Sequence, residues 1–279
     1  MSAQSFGTRL QQAVADRGPI VAGIDPHAAL LEAWGLPDTP AGLAEFSRVG
    51  LEAVAGQVAA IKPQSAFFER HGSAGVAVLE ELLAEARSAS VLTILDVKRG
   101  DIGSTMAAYA QAHLRPGAPL EADAITVSPY LGASSLDPAV ELALDSGKGL
   151  FMLALTSNPD GPRIQHARDF HDTPVALHVA RHAEDVGAGT ENRWGSVGLV
   201  VGATVGDAFT RLGLAEATTS APILAPGFGA QGAGPAQLTE VFGESAGRTL
   251  VSLSRGLLAA GPDPQRLRQA AAALRMHYS

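Results

Sequence analysis

A chain of 279 residues, 46% hydrophobic and 17% charged, has room for one large domain or two modest ones around a substantial core. Its 20 Lys and Arg against 28 Asp and Glu give a net charge of −8 with no basic cluster, which argues against nucleic acid or an anionic membrane as partner. With no cysteine, disulfides, thiolate nucleophiles and thiolate metal sites are excluded.

Residues 1–17 carry no apolar core of signal-peptide type, and no apolar run is long enough to span a bilayer; the cytoplasm is the expected compartment. After a leading helix at 6–16, short β-rich apolar runs alternate with Ala/Leu-rich segments of helical character. The pattern predicts strands at 20–24, 58–61, 91–95, 124–127, 149–155, 197–201, 222–225 and 249–253. Helices are predicted between them, among others at 41–56, 76–88, 104–114, 174–185 and 235–242, with a closing helix at 264–276. Regular alternation implies parallel strands joined by right-handed crossovers, and about eight such units make a (β/α)8 TIM barrel. A single domain over 1–279 is expected, since no linker or repeat divides the chain. The most irregular stretch, 156–173, is rich in Pro, Asp, His and Arg and reads as a mobile loop after the fifth strand.

Polar residues gather at the carboxyl ends of these strands, where barrel enzymes carry their chemistry. In chain order they are Asp25, Lys62, Asp96 with Lys98, Thr126 with Ser128, Thr156 with Ser157, Thr204, a loop starting at Gly227, and Arg255. The densest group is Leu95-Asp96-Val97-Lys98-Arg99-Gly100-Asp101-Ile102. Alternate side chains of a strand share a face, so Asp96 and Lys98 point the same way. Burying such a pair often costs more in desolvation than it returns, so stability alone is a poor reason for it. Asp101 places a second carboxylate near the same ammonium, an array that keeps a lysine protonated and aims it at a reacting atom.

Each residue also has a plainer reading. A lone Lys98 would snorkel from a strand end, Asp101 would cap the helix that follows, and Asp25 would open a turn before Pro26. Lys62 ends the apolar run Ala59-Ala60-Ile61 and needs a partner, which Asp25 or Asp96 would supply. Gly227-Phe228-Gly229-Ala230-Gln231-Gly232 matches G-x-G-x-x-G, but the next strand leads to Leu253 and Arg255 with no acid at its end, so a dinucleotide fold is disfavoured. A loop of exposed amides still suits a phosphate, and Arg255 would add a forked cation to it. His178 and His182 have metal-ligand spacing, but without a Glu between them a solvated helix face is the simpler reading.

The segment Asp96 to Ile102, followed by Thr105, resembles the D-x-K-x-x-D-I signature of the orotidine 5′-phosphate decarboxylase family. Phe6-Gly7, Gly23-Ile24-Asp25-Pro26-His27 and Thr126-Val127-Ser128-Pro129-Tyr130 resemble its bacterial type 2 branch, and Leu155 to Pro159, Val200 to Thr204 and Pro226 to Gly232 also fit. The resemblance implies a barrel that converts orotidine 5′-phosphate to UMP and CO2 with no metal or organic cofactor, working as a homodimer with shared sites. It implies that Asp25 binds the ribose, that Lys62 joins the charged network, and that Asp96 and Asp101 flank Lys98. Asp101, Ile102 and Thr105 would reach the partner subunit's substrate, Ser157 the pyrimidine, and Gln231 and Arg255 the phosphate. Lys98 would stabilise the carbanion left at C6 and then protonate it.

Other readings stay open on the residues alone. One is a sugar-phosphate lyase or decarboxylase of the same barrel type working through a metal-bound enediolate. A second is a nucleotide-binding protein that has lost its chemistry. A Schiff-base aldolase using Lys98 or Lys62 is opposed by the carboxylates, which hold such a lysine protonated.

Overall fold

The strands form where β-branched and aliphatic residues run together between glycine- and proline-rich breaks. They are β1 (Ile20–Ile24), β2 (Ala60–Pro63), β3 (Leu92–Arg99), β4 (Ala124–Val127), β5 (Gly149–Leu155), β6 (Val197–Val201), β7 (Ile223–Pro226) and β8 (Thr249–Leu253). This is a computed structural model, and it describes residues 4–190, 192–229 and 232–278. Every strand pairs in parallel with the next, and β8 returns to β1, closing an eight-stranded barrel. β1, β4, β6 and β8 are buried at every position. Such strands have one face inside the barrel and the other under helices, so they read as continuous apolar runs rather than alternating ones.

Two apolar layers follow from this. The barrel interior holds Val21, Ala60, Ile94, Ala124, Phe151, Val200, Leu224 and Leu250, joined by Phe6 and Leu10 from the first helix. The larger layer lies between the barrel wall and an outer ring of helices that includes Pro40–Val54, Gly72–Ser88, Gly103–Leu114, Val175–Val186 and Pro264–Tyr278. Helix Phe6–Arg17, capped by Ser5 at the amide of Thr8 (3.3 Å), stops the amino-terminal mouth of the barrel. Phe6 meets Phe151 edge-on with ring centroids 6.1 Å apart. Gly149 is required beneath it, because a Cβ there would stand 2.1 Å from the Phe6 ring. With one mouth stopped, the carboxyl-end mouth is left to hold a ligand.

Three strands differ from expectation in their boundaries. β2 and β7 each begin and end slightly later, and β3 runs on to Arg99 instead of stopping at Leu95. The extension exists because Asp96 bridges to Gln64 and Arg99 pairs with Val127 across a register shift, so the charged residues sit within the strand. The stretch 156–173 is also more ordered than a loop. It contains a helix, Gly161–Gln165, and a bridge between Arg168 and Pro174. Asp169 accepts the amides of His171 and Thr173, both at 2.9 Å, and bonds Nε2 of His178 at 2.9 Å. His182 instead meets Asp137 at 2.8 Å, so the two histidines serve separate carboxylates. Among the described residues, no helix is long and apolar enough to cross a membrane, and no three His, Asp or Glu side chains gather as metal ligands.

Candidate active site

Adjacent strands β2, β3 and β4 deliver Lys62, Asp96 with Lys98, and Thr126 to the open mouth. Asp96 is the hub. Its Oδ2 accepts from Lys62 Nζ at 3.0 Å, and its Oδ1 accepts from Lys98 Nζ at 2.5 Å and from the Thr126 hydroxyl at 2.8 Å. Gln64, with its amide turned to donate, adds bonds to the Asp96 carbonyl (2.7 Å) and to Oδ2 (3.1 Å). Thr126 Oγ1 also accepts the amide of Lys98 at 3.0 Å, locking the two strand ends together. The Lys62 and Asp96 side chains are each only 10% exposed, whereas Lys98 is 45% exposed and faces the mouth.

Burial alone would raise the Asp96 carboxyl. The charges of Lys62 and Lys98, with the hydrogen bonds from Lys98 and Thr126, outweigh it and hold Asp96 down at about 2. Burial alone would lower Lys62, yet the charges of Asp96 and Asp25 reverse the sign and raise it. The site is thus a buried anion clamped between two cations, one of them facing open space.

Two cavities share Lys62, Pro226 and Ser252 as walls and so form two lobes of one cleft. The first, of about 300 Å3, is lined by Asp96, Lys98, Thr126 and Ser157. The second, of about 370 Å3, is lined by Asp25, His27, Gly227, Ser254 and Arg255. Asp25 Oδ1 and Ser254 Oγ are buried beside the second lobe without hydrogen-bond partners. One lobe therefore presents an ammonium on a carboxylate, and the other a guanidinium beside unsatisfied oxygens.

Ser157 stands on a fixed turn. The Gln165 side chain accepts the Thr156 amide at 2.9 Å and donates to its hydroxyl at 2.7 Å, and that hydroxyl donates to Asn158 Oδ1 at 2.6 Å. Arg255 opens the short helix Arg255–Leu258, with its side chain at the second lobe. The loop after β7 needs its glycines: Gly227, Gly229 and Gly232 have φ of 115°, 70° and 97°. The expectation that its amides are exposed fails for two of them. Those of Gly229 and Gly232 are spent on Ala233 O (2.8 Å) and Gly229 O (2.9 Å), because the loop folds back on itself. Gln231 lies outside the described residues.

Of the two carboxylates expected to flank Lys98, this chain brings Asp96 against it. Asp101 Oδ1 accepts the amide of Ile102 at 2.8 Å, just ahead of helix Gly103–Leu114. Gly103, at φ 52°, opens that helix. Ile102 is 62% exposed and Thr105 is exposed as well; on the loop after β4, Tyr130 and Leu131 are also bare. Gln64, Gln165 and the donor role of Thr126 escape a reading of the sequence. Each acts across strands or turns, and no local spacing marks it.

Known proteins resemble this chain over nearly its whole length. Residues 18–270 match the model of the orotidine 5′-phosphate decarboxylase / HUMPS family. A Streptomyces coelicolor protein named orotidine 5′-phosphate decarboxylase is 54% identical over 96% of this chain and 95% of its own length. One of the same name from Corynebacterium efficiens is 46% identical over 96% of this chain and 94% of its own. Among solved structures, a crystal structure from Streptomyces avermitilis superposes with a TM-score of 0.94 at 54% identity, covering 100% of this chain and 96% of that one. The OMP decarboxylase of Leishmania donovani gives 0.77 at 31%, covering 99% and 98%. A match through all eight strands, at this identity and over nearly the whole length, places the chain in the orotidine 5′-phosphate decarboxylase / HUMPS family.

Proposed function

We propose that this chain decarboxylates orotidine 5′-phosphate to UMP and CO2, the last step of UMP synthesis, within one barrel domain and without metal or organic cofactor. The observation that carries this reading is the Lys62–Asp96–Lys98 array in one lobe, sharing Lys62 with a lobe that ends at Arg255. A substrate with an anionic tail at Arg255 has its ring over Lys98. Breaking the bond between C6 and the carboxylate leaves the electron pair on C6, with no adjacent carbonyl to delocalise it. The Lys98 ammonium stabilises that charge and passes its proton to C6; solvent then restores the proton. Asp96 keeps the ammonium aimed, and its fixed negative charge disfavours the substrate carboxylate more than the departing CO2.

In this reading Asp25 takes the ribose, Ser157 the pyrimidine, and Arg255 with Gln231 the phosphate. Asp25 Oδ1, buried and unpaired, is an acceptor that a sugar hydroxyl would satisfy. Two copies work together, with Asp101, Ile102 and Thr105 of each completing the other's site. The bare side chains of Ile102, Tyr130 and Leu131 support such a contact, as does an Asp101 that its own Lys98 does not use.

The test follows the ultraviolet absorbance of orotidine 5′-phosphate with purified protein in excess EDTA, with Lys98→Ala alongside. Wild type consumes the substrate. Loss of the ammonium lowers kcat by at least about a thousandfold while UMP still binds. Wild-type turnover by Lys98→Ala would overturn the mechanism. An inert wild type would favour a metal-dependent sugar-phosphate enzyme or a silent binder.

A further inference from the structure

Lys98 is in the left-handed backbone region, at φ 47°, which costs a lysine what it would not cost a glycine. The strained residue is the one whose ammonium faces the cleft, and something must hold it there. Its neighbour Arg99 projects away from the cleft and lines neither lobe. Arg99 Nη2 donates to Glu69 Oε1 at 2.8 Å, and its guanidinium stands 5.6 Å from the centre of the Tyr109 ring. The Arg99 carbonyl accepts the amide of Ser128 at 2.7 Å. The following Gly100 lies so close to β4 that a Cβ would stand 2.3 Å from the Ser128 carbonyl oxygen.

These contacts join three elements. Glu69 ends the short helix Ala66–Glu69, just after β2, and accepts the Ser65 hydroxyl at 2.6 Å; the Ser65 amide in turn bonds the Asp96 carbonyl at 3.2 Å. Tyr109 belongs to helix Gly103–Leu114, which Asp101 and Ile102 lead into and which carries Thr105. One guanidinium therefore ties the segment following Lys62 to the strand of Asp96 and Lys98, and both to the helix behind Asp101. Its Nε is buried with no hydrogen-bond partner, a cost that an arginine free on the surface would not bear. An exposed ion pair of this kind adds little to stability.

We propose that Arg99 is a positioning residue for the reaction: clamped by Glu69 and Tyr109, it holds the strained turn that presents the Lys98 ammonium to the substrate. The inference rests on the decarboxylase reading and adds to it a residue that never touches the substrate. Displacing a catalytic group by a fraction of an ångström reduces the chemical step far more than binding.

The experiment compares Arg99→Met and Glu69→Gln with wild type in kcat, KM and UMP affinity, together with the double variant. Each single change lowers kcat about tenfold with KM and UMP affinity held within about twofold, and the double variant is no worse than Arg99→Met. Unchanged kcat in Arg99→Met, or a kcat loss matched by an equal loss of UMP affinity, would overturn the proposal. A wild type without turnover would instead refute the decarboxylase reading. The clamp is then decided by a crystal structure of Arg99→Met, in which it requires Lys98 to leave positive φ and is refuted if the turn is unchanged.

Discussion

Asp96 ties the ionisation of one side chain to the stability of the fold. Its carboxyl has an ordinary value of 3.8 and sits at about 2 in the folded chain. At any pH above 3.8 the ionised group stabilises the fold in full. As pH falls from 3.8 towards 2 the unfolded chain binds the proton first, and that contribution is lost. Lys62 works from the other side. Its pKa is raised above 10.5, so its contribution is complete below 10.5 and disappears as pH rises through the folded value. Neutral pH lies on the plateau of both. Asp96→Asn removes the carboxylate and leaves a buried ammonium facing a neutral amide, which costs about 3–5 kcal/mol. Urea unfolding at pH 7 measures this, and a loss below about 1 kcal/mol would mean that water or Asp25 already satisfies Lys62. The Asp96–Lys98 pairing was legible because a period of two puts both on one face. Thr126 was legible as a residue of the mouth but not as a donor to Asp96, and Gln64, just after β2, was not marked at all, because both act across strands.

At the scale of elements, the strands were the most legible feature, because a parallel strand buried on both faces leaves an unbroken apolar run. Their ends were less so. The predicted third strand stops at Leu95, yet pairing to Gln64 and Val127 carries it on through Asp96 to Arg99. The stretch 156–173 holds more local structure than its composition suggested: Asp169 bonds the amides of His171 and Thr173 and the ring of His178 on the following helix.

Helix Gly103–Leu114 carries a further consequence in His113, 4% exposed, with Nδ1 buried and unpaired. Burial, with the charge of Arg99, lowers its pKa from 6.5 to about 4, against a weaker opposing pull from Glu69. The imidazole is therefore folded in its neutral form. Between pH 6.5 and 4 the unfolded chain binds the extra proton, so stability falls as pH drops through that window. A shift of this size is worth on the order of 3 kcal/mol across the window. His113→Leu removes the titration, and the unfolding free energy of the variant should fall less steeply than wild type from pH 6.5 to 4. Parallel profiles for the two proteins would show that His113 is not the titrating group.

For the whole molecule, the barrel is stopped at one end by Phe6 and Leu10, and the polar cleft lies at the other. The sequence located that end through residues scattered from Asp25 to Arg255. Sequence spacing leaves open whether Asp101 serves the Lys98 of its own chain or, in the proposed dimer, that of a neighbour. The Asp101 carboxylate accepts the Ile102 amide while its own Lys98 pairs with Asp96, the observation behind the proposed service to a neighbour. Lys98→Ala and Asp101→Ala are each expected to be inactive, and mixing them under subunit exchange distinguishes the two arrangements. If sites are shared, a hybrid dimer has one site with both lesions and one with neither. Half of the dimers are hybrids at random exchange, so about a quarter of native activity returns. If Asp101 serves its own chain, every site in every dimer retains one lesion and nothing returns. The recovered fraction, read against the known proportion of hybrids, thus reports whether two barrels are needed to build one active site.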